Sequence, residues 1–209
     1  MIVAIDGPAG AGKSTVARLL AERLGFRYLD TGAMYRAVTW LAVNRSLDLE
    51  DGEPLGRLAD EHPVDLDEDG RVAIAGEDVT TAIRLAEIDR LVPTVARHPE
   101  VRRIMRRRQR ELADLGNAVI EGRDIGTVVA PDADVKIYLN AEPEIRARRR
   151  QLERPDIGGD ALATDLRLRD ESDAARMQPA EDAQLIDTTE LDVEDVVDRV
   201  EQLVRARVA

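Results

Sequence analysis

The sequence predicts an α/β fold, a central parallel sheet flanked by helices, and three observations carry that expectation. Residues 2–5 (Ile, Val, Ala, Ile) form a short apolar run without polar alternation, the pattern of a strand buried on both faces. A glycine-rich loop and an amphipathic helix follow at once, the helix marked by Val16, Leu19, Leu20 and Leu24. A short apolar run at 118–120 and further strand-like segments at 135–139 and 184–187 then alternate with helical stretches, and parallel strands need such crossovers.

The loop is the first functional signal. From Gly7 through Lys13 to Ser14 it fits GxxxxGK[ST] without a gap. Gly7, Pro8, Ala9, Gly10, Ala11 and Gly12 let backbone N–H groups converge on a polyphosphate, and the following helix aims its N-terminus at the same anion. Lys13 adds a mobile point charge. Ser14 offers a hydroxyl to the Mg²⁺ that accompanies the β and γ phosphates, with Thr15 in support. The rival reading is a flexible Gly/Ala turn, but strand, loop and helix occur in the order the motif requires.

Composition narrows the chemistry. With 44% apolar residues and five aromatics in 209, the core must be built from Val, Ile, Leu and Ala. Cysteine is absent and only His62 and His98 are present, which argues against disulfides and zinc sites. No apolar run approaches the ~18 residues of a membrane span and no basic segment precedes the first strand, so a cytoplasmic enzyme without a membrane partner is expected. A formal charge of −12 argues against nucleic acid as a partner. Local basic clusters remain: seven arginines lie within 97–110 and five within 146–154, whereas Lys13 and Lys136 are the only lysines. Guanidinium suits bidentate phosphate contacts, although surface charge accounts for part of this set. A monomer acting on small anionic substrates is expected.

Taken in order, residues 26–29 read as a strand, after which Asp30, Thr31 and Gly32 lead into a helix with Met34, Tyr35, Val38 and Leu41, Thr31 its expected N-cap. Runs at 64–66 and 71–75 around Glu68, Asp69 and Gly70 suggest a hairpin, and a helical stretch over 82–91 is expected to stop at Pro93. Residues 100–115 form a strong helix with Pro99 at its first turn, and Arg102 and Arg106 on one side. The strand at 118–120 ends in Glu121, Gly122, Arg123 and Asp124, a charged cluster at the carboxyl end of the sheet, where open α/β folds place ligands. Arg169, Asp173 and Arg176 are four and three residues apart and are expected on one helical face. A closing helix carries Val193, Val196, Val197, Val200 and Val204.

Six segments then carry a resemblance: GPAGAGKST at 7–15, LDTGAMYR at 29–36, GEDVTTAIR at 76–84, HPEVRRIMRRRQR at 98–110, EGRDIGTVVAPDADVKIYLNA at 121–141 and RDESDAAR at 169–176. In this order, over nearly the whole chain, they resemble the bacterial cytidylate kinases. The resemblance implies a P-loop nucleoside monophosphate kinase using ATP with Mg²⁺ to phosphorylate CMP and dCMP. Its core would span 1–43, 99–150 and 180–209, with an acceptor-binding insertion at about 44–98 and a helical lid at about 151–179. By the same resemblance, Thr31, Tyr35, Arg36, Arg102, Arg123 and Asp124 hold the acceptor and Asp173 its sugar hydroxyl. Lys13, Arg123, Arg169 and Arg176 act on the transferring group, Arg176 also contacting substrate.

The chain departs from the family pattern in two places. Pro93 stands in the run where a serine usually meets the cytosine amino group, and it has neither hydroxyl nor backbone N–H to donate. Arg123 and Asp124 are left as the expected base readers. The proline-containing link after Arg176 is also shortened, to residues 177–183. Alternatives are a P-loop kinase for UMP, another monophosphate or a small hydroxyl acceptor, and a non-catalytic nucleotide-sensing module.

Overall fold

A computed structural model of the chain describes residues 1–67, 70–153, 158–174 and 176–208. Glu68 and Asp69 of the expected hairpin turn, Arg154 of the second arginine cluster, and positions 154–157 and 175 of the expected lid lie outside the described residues.

The elements run β1 (Ile2–Asp6), α1 (Lys13–Leu24), β2 (Arg27–Asp30), α2 (Thr31–Asn44), α3 (Gly52–Glu61), β3 (Asp65–Leu66), β4 (Val72–Ile74) and β5 (Glu77–Asp78). A 3₁₀ turn (Ala82–Arg84), α4 (Ala86–Ala96), α5 (Pro99–Ala113), β6 (Ala118–Glu121) and a π-helical turn (Ile125–Val129) follow. β7 (Val135–Asn140), α6 (Pro143–Glu153), α7 (Gly159–Asp173), β8 (Gln184–Asp187) and α8 (Val193–Val208) complete the order. Among the described residues, no helix is long and apolar enough to cross a membrane.

Two compact units are present: Met1–Tyr28 with Gly116–Ala209, and Leu29–Leu115. The first is built on the sheet, whose strand order is β2-β6-β1-β7-β8, with β2 running across the unit boundary. β1 pairs in parallel with β6 and with β7, and β7 with β8. Val3, Ile5, Val119, Ile137 and Leu139 pack with Val16 and Leu20 of α1 and with Val196, Val197 and Val200 of α8, the aliphatic core the composition requires. Register fixes what emerges at the carboxyl ends: Ile5 lies opposite Glu121, and Asp6 opposite Tyr138.

The second unit packs α3 on α5 and α2 on α4, beside the three-stranded sheet β3-β4-β5. Gly56 permits the first of these contacts, since a Cβ there would lie 2.7 Å from Glu100 Cβ. The expected hairpin is present as the antiparallel pair β3–β4.

Four local expectations need correction. The N-cap of α2 is Asp30, whose carboxylate accepts from Ala33 N at 2.7 Å, and Thr31 is already helical. α3 has no counterpart among the expected elements; Leu55 and Leu58 supply its buried stripe, and Asp51 caps it. α4 starts at Ala86 and continues through Pro93, because Ile88 and Val95 on either side of the proline are buried and hold the helix to its neighbours. α7 ends at Asp173, so Arg176 lies past the helix and returns to it through its backbone N–H, which donates to Asp173 O at 2.7 Å.

Candidate active site

The loop between β1 and α1 is shaped by space as well as by backbone angle. Gly7 has φ 144°, and a Cβ there would sit 2.0 Å from the Leu139 carbonyl oxygen of β7. Gly10, at φ 78°, lies against α6, where a Cβ would come within 2.9 Å of Arg146 Cβ. The loop carbonyls are then fixed by side chains from elsewhere in this unit. Arg123 Nη1 donates to Gly7 O at 2.6 Å, Arg146 Nη1 to Ala9 O at 3.1 Å, and Thr188 Oγ1 reaches Ala11 O at 3.2 Å. In a trans peptide the N–H points opposite the carbonyl. Holding Ala9 O and Ala11 O therefore turns the N–H groups of Gly10 and Gly12 the other way, the arrangement an anion nest needs.

Lys13 opens α1 and is buried, its Nζ donating to Pro8 O at 2.8 Å. Burial, and then the Arg123 guanidinium, push its ammonium down to about 7, against the opposing pull of Glu121, Asp6 and Asp173. Asp6 is buried beside it. Desolvation lifts its carboxyl to about 6, even though it accepts from Ile125 N and Gly126 N at 2.8 Å each; Asp124 pushes the same way as burial. These two bonds fasten the π-helical turn to the end of β1. Burial thus disfavours the charged forms of both Lys13 and Asp6, and a bound polyphosphate would restore the lysine to full charge.

Glu121 gathers two hydroxyls. Ser14 Oγ donates to its Oε2 at 2.9 Å and the Tyr28 hydroxyl to its Oε1, with Glu121 itself buried. Arg123 Nε donates to Asp173 Oδ2 at 3.0 Å, while Arg176 Nη2 donates to Asp173 Oδ1 at 3.0 Å and to Ser172 O at 2.8 Å. One carboxylate of α7 therefore holds two guanidinium groups. Arg169 lies half-buried on the same helix. Tyr138 OH donates to Met177 O at 3.0 Å, tying the shortened link after Arg176 to β7.

The second unit has its own cationic cluster. Arg36 Nη2 donates to Asp30 Oδ2 at 2.9 Å, and Arg84 Nη2 reaches the same oxygen at 3.3 Å. Arg36 Nε is buried without a hydrogen-bond partner among the described residues. Thr31 and Tyr35 occupy the first turns of α2, Thr31 buried and Tyr35 half-buried. Arg102 is half-buried on α5, with Arg106 exposed.

A phosphate loop on a parallel sheet, with arginines bonded to it, is common to many phosphotransferases, so the comparisons decide between them. The family model for cytidylate kinase matches residues 3–206. A protein named cytidylate kinase from Shouchella clausii is 49% identical, covering 97% of this chain and 95% of its own. Another, from Pelotomaculum thermopropionicum, is also 49% identical, at 93% and 92%.

This chain belongs to the cytidylate kinase family.

Among solved structures, a shikimate kinase from Bacteroides thetaiotaomicron superposes with TM-score 0.53 at 18% identity, covering 98% of each chain. TT1252 from Thermus thermophilus gives 0.51 at 22%, covering all of this chain and 98% of that one. Both share the fold.

For a cytidylate kinase family member, the expected site residues divide between the units. Lys13, Ser14, Arg123, Asp124, Arg169, Asp173 and Arg176 lie in the first, where direct bonds join Arg123, Asp173 and Arg176. Thr31, Tyr35, Arg36 and Arg102 lie in the second. Asp6, Tyr28, Glu121, Arg84 and Arg146 were not singled out from sequence. Glu121 and Arg146 had a signal, as the first residue of the charged cluster after β6 and the first of an arginine run. Tyr28 and Asp6 had none, since only the parallel register brings them to the loop.

Proposed function

We propose that the protein transfers the γ-phosphoryl group of ATP to the phosphate of CMP or dCMP, forming ADP with CDP or dCDP. The observation that carries this reading is the near half-identity to proteins named cytidylate kinase over almost the whole chain. The site chemistry agrees with it. Phosphoryl transfer through a loose transition state needs positioned cations rather than a covalent catalyst, and the residues around the loop are chiefly that.

In this mechanism a phosphate oxygen of CMP forms a bond to Pγ as the bond between Pγ and the β,γ-bridging oxygen breaks, and ADP leaves with that electron pair. A phosphate monoester has its second pKa near ~6 and is mostly a dianion at neutral pH, so no protein base is required. Lys13 and the loop N–H groups hold the donor phosphates. Arg123, Arg169 and Arg176 face the charge that spreads over the equatorial oxygens, while Arg36 and Arg102 receive the acceptor phosphate. Thr31 and Tyr35 line its seat, Asp124 reads the base with Arg123, and Asp173 exchanges its arginine partners for the sugar hydroxyl.

The donor set suits Mg²⁺, which prefers oxygen ligands and one or two carboxylates beside substrate phosphates. Ser14 Oγ and Glu121 Oε2 meet that description, 2.9 Å apart. When bound there, the ion neutralises β and γ oxygens.

A coupled ADP-release assay over CMP, dCMP, UMP, AMP and shikimate tests the proposal. Turnover is expected with CMP and dCMP. Release with shikimate alone, or with none of the five, overturns it.

A further inference from the structure

Two arginines in the first unit make the same kind of bridge. Each joins a carbonyl of the phosphate loop to a carboxylate of α7: Arg123 links Gly7 O to Asp173, and Arg146 links Ala9 O to Asp170. Asp170 and Asp173 are three residues apart on α7, so one face of that helix meets both bridges. The bridges differ in how much of the guanidinium they use. Arg123 is engaged through Nε and Nη1, remains partly exposed, and belongs to the proposed substrate set. Arg146 is only 6% exposed. Its Nε donates to Ala141 O at 3.1 Å, Nη1 to Ala9 O at 3.1 Å and Asp170 Oδ1 at 3.2 Å, and Nη2 to Asp170 Oδ2 at 2.7 Å. Four donor–acceptor contacts of this kind leave almost none of a five-donor group for a substrate. The backbone agrees, for Gly10 packs against Arg146 so closely that a Cβ would lie 2.9 Å from both Arg146 Cβ and Arg146 O.

We propose that Arg146 is a positioning residue which, with Asp170 as its counter-ion, latches α7 to the phosphate loop. Arg169 adjoins Asp170 on α7, and Arg176, just past the end of that helix, returns to it through Asp173, so the positions of both phosphate-directed arginines depend on the helix that this latch fixes. The Arg123 bridge is the one that exchanges with substrate, and the Arg146 bridge persists through the cycle. This inference rests on the proposed transferase reading.

The test is Asp170→Asn, which keeps the shape of a half-buried side chain and removes its charge. Three quantities are read at a temperature where circular dichroism shows wild type and variant folded: kcat with CMP, the Kd of ATP by calorimetry, and hydrogen exchange of residues 159–173 without nucleotide. The latch predicts faster exchange in α7 by about tenfold and a kcat lowered by about tenfold, with Kd for ATP within threefold of wild type. Arg146→Lys, which keeps charge but loses the planar fork, is expected to show the same exchange change. Unchanged exchange in Asp170→Asn overturns the latch. Faster exchange with kcat unchanged overturns its positioning role. A wild-type protein with no CMP-dependent turnover overturns the transferase reading instead, and the exchange measurement still decides the latch.

Discussion

Ser14 Oγ donates to Glu121 Oε2 at 2.9 Å, bringing the hydroxyl of the phosphate loop onto a buried carboxylate from the neighbouring strand. The other carboxylate oxygen accepts from the Tyr28 hydroxyl, so Glu121 is oriented from both sides. Glu121→Gln keeps the size and loses the charge. The Mg²⁺ concentration for half-maximal turnover is expected to rise by roughly tenfold. Tyr28→Phe should shift it less, since the charge remains. A magnesium titration at saturating ATP checks both.

Lys13 is half-charged near pH 7 in the free protein, because burial depresses its ammonium to about 7. Bound phosphates raise that value, so binding takes up a proton as the pH climbs above 7, and affinity falls by up to about tenfold per pH unit until the bound pKa is reached. Calorimetry in buffers of different ionisation enthalpy at pH 8 should therefore detect proton uptake on ATP binding. In Lys13→Arg, whose cation does not titrate in this range, that uptake should vanish.

The same burial makes Lys13 a destabilising residue in the ligand-free state. Lys13→Met is expected to stabilise the free protein by on the order of 1–3 kcal/mol while abolishing turnover. Thermal denaturation at pH 6, where the wild-type lysine is charged, is the most sensitive condition. The wild-type contribution has a defined sign: the folded state binds fewer protons at this lysine than the unfolded chain between about 7 and 10.5, so that part of the stability rises with pH across the window.

Glycines of the loop are not equivalent. Gly7→Ala would place a methyl 2.0 Å from a backbone oxygen at φ 144°, and is expected to cost more than about 3 kcal/mol or prevent folding. Gly12 also has a positive φ, 90°, but nothing lies within 4 Å of its Cβ position. Gly12→Ala should cost only about 1 kcal/mol, the backbone term alone. Chemical denaturation of the two variants separates them.

Arg36 holds Asp30 with Nη2 but leaves a buried Nε without a hydrogen-bond partner among the described residues, an arrangement that costs about 1–3 kcal/mol until an acceptor arrives. An anionic acceptor substrate is the expected occupant. Arg36→Met should raise the KM for CMP by roughly a hundredfold and leave Kd for ATP within threefold, measured by steady-state kinetics and calorimetry.

The sheet was legible because its strands are apolar, short and punctuated, and the loop because its glycine spacing encodes a backbone shape. What sequence could not show is long-range. Glu121 reads as one charge in a cluster until register places it next to β1 and Tyr28. Arg146 reads as one member of a basic cluster until Gly10 is found packed against it. Pro93 looked like a stop, yet burial of Ile88 and Val95 outweighs the lost helix bond. Thr31 and Asp30 are both good caps, and only the bond to Ala33 N separates them. Arg176 kept helical spacing in sequence, but the helix ends before reaching it.

β1, which launches the phosphate loop, is paired with β6 and β7, both more than a hundred residues further along the chain. During synthesis Ile2 must wait for Ala118, and Val3 for Val135, while the continuous span Leu29–Leu115 is already complete. The nascent chain therefore cannot close this sheet until residues 118 and 135 have been made, and the loop takes shape late, through contacts of high sequence separation that close slowly.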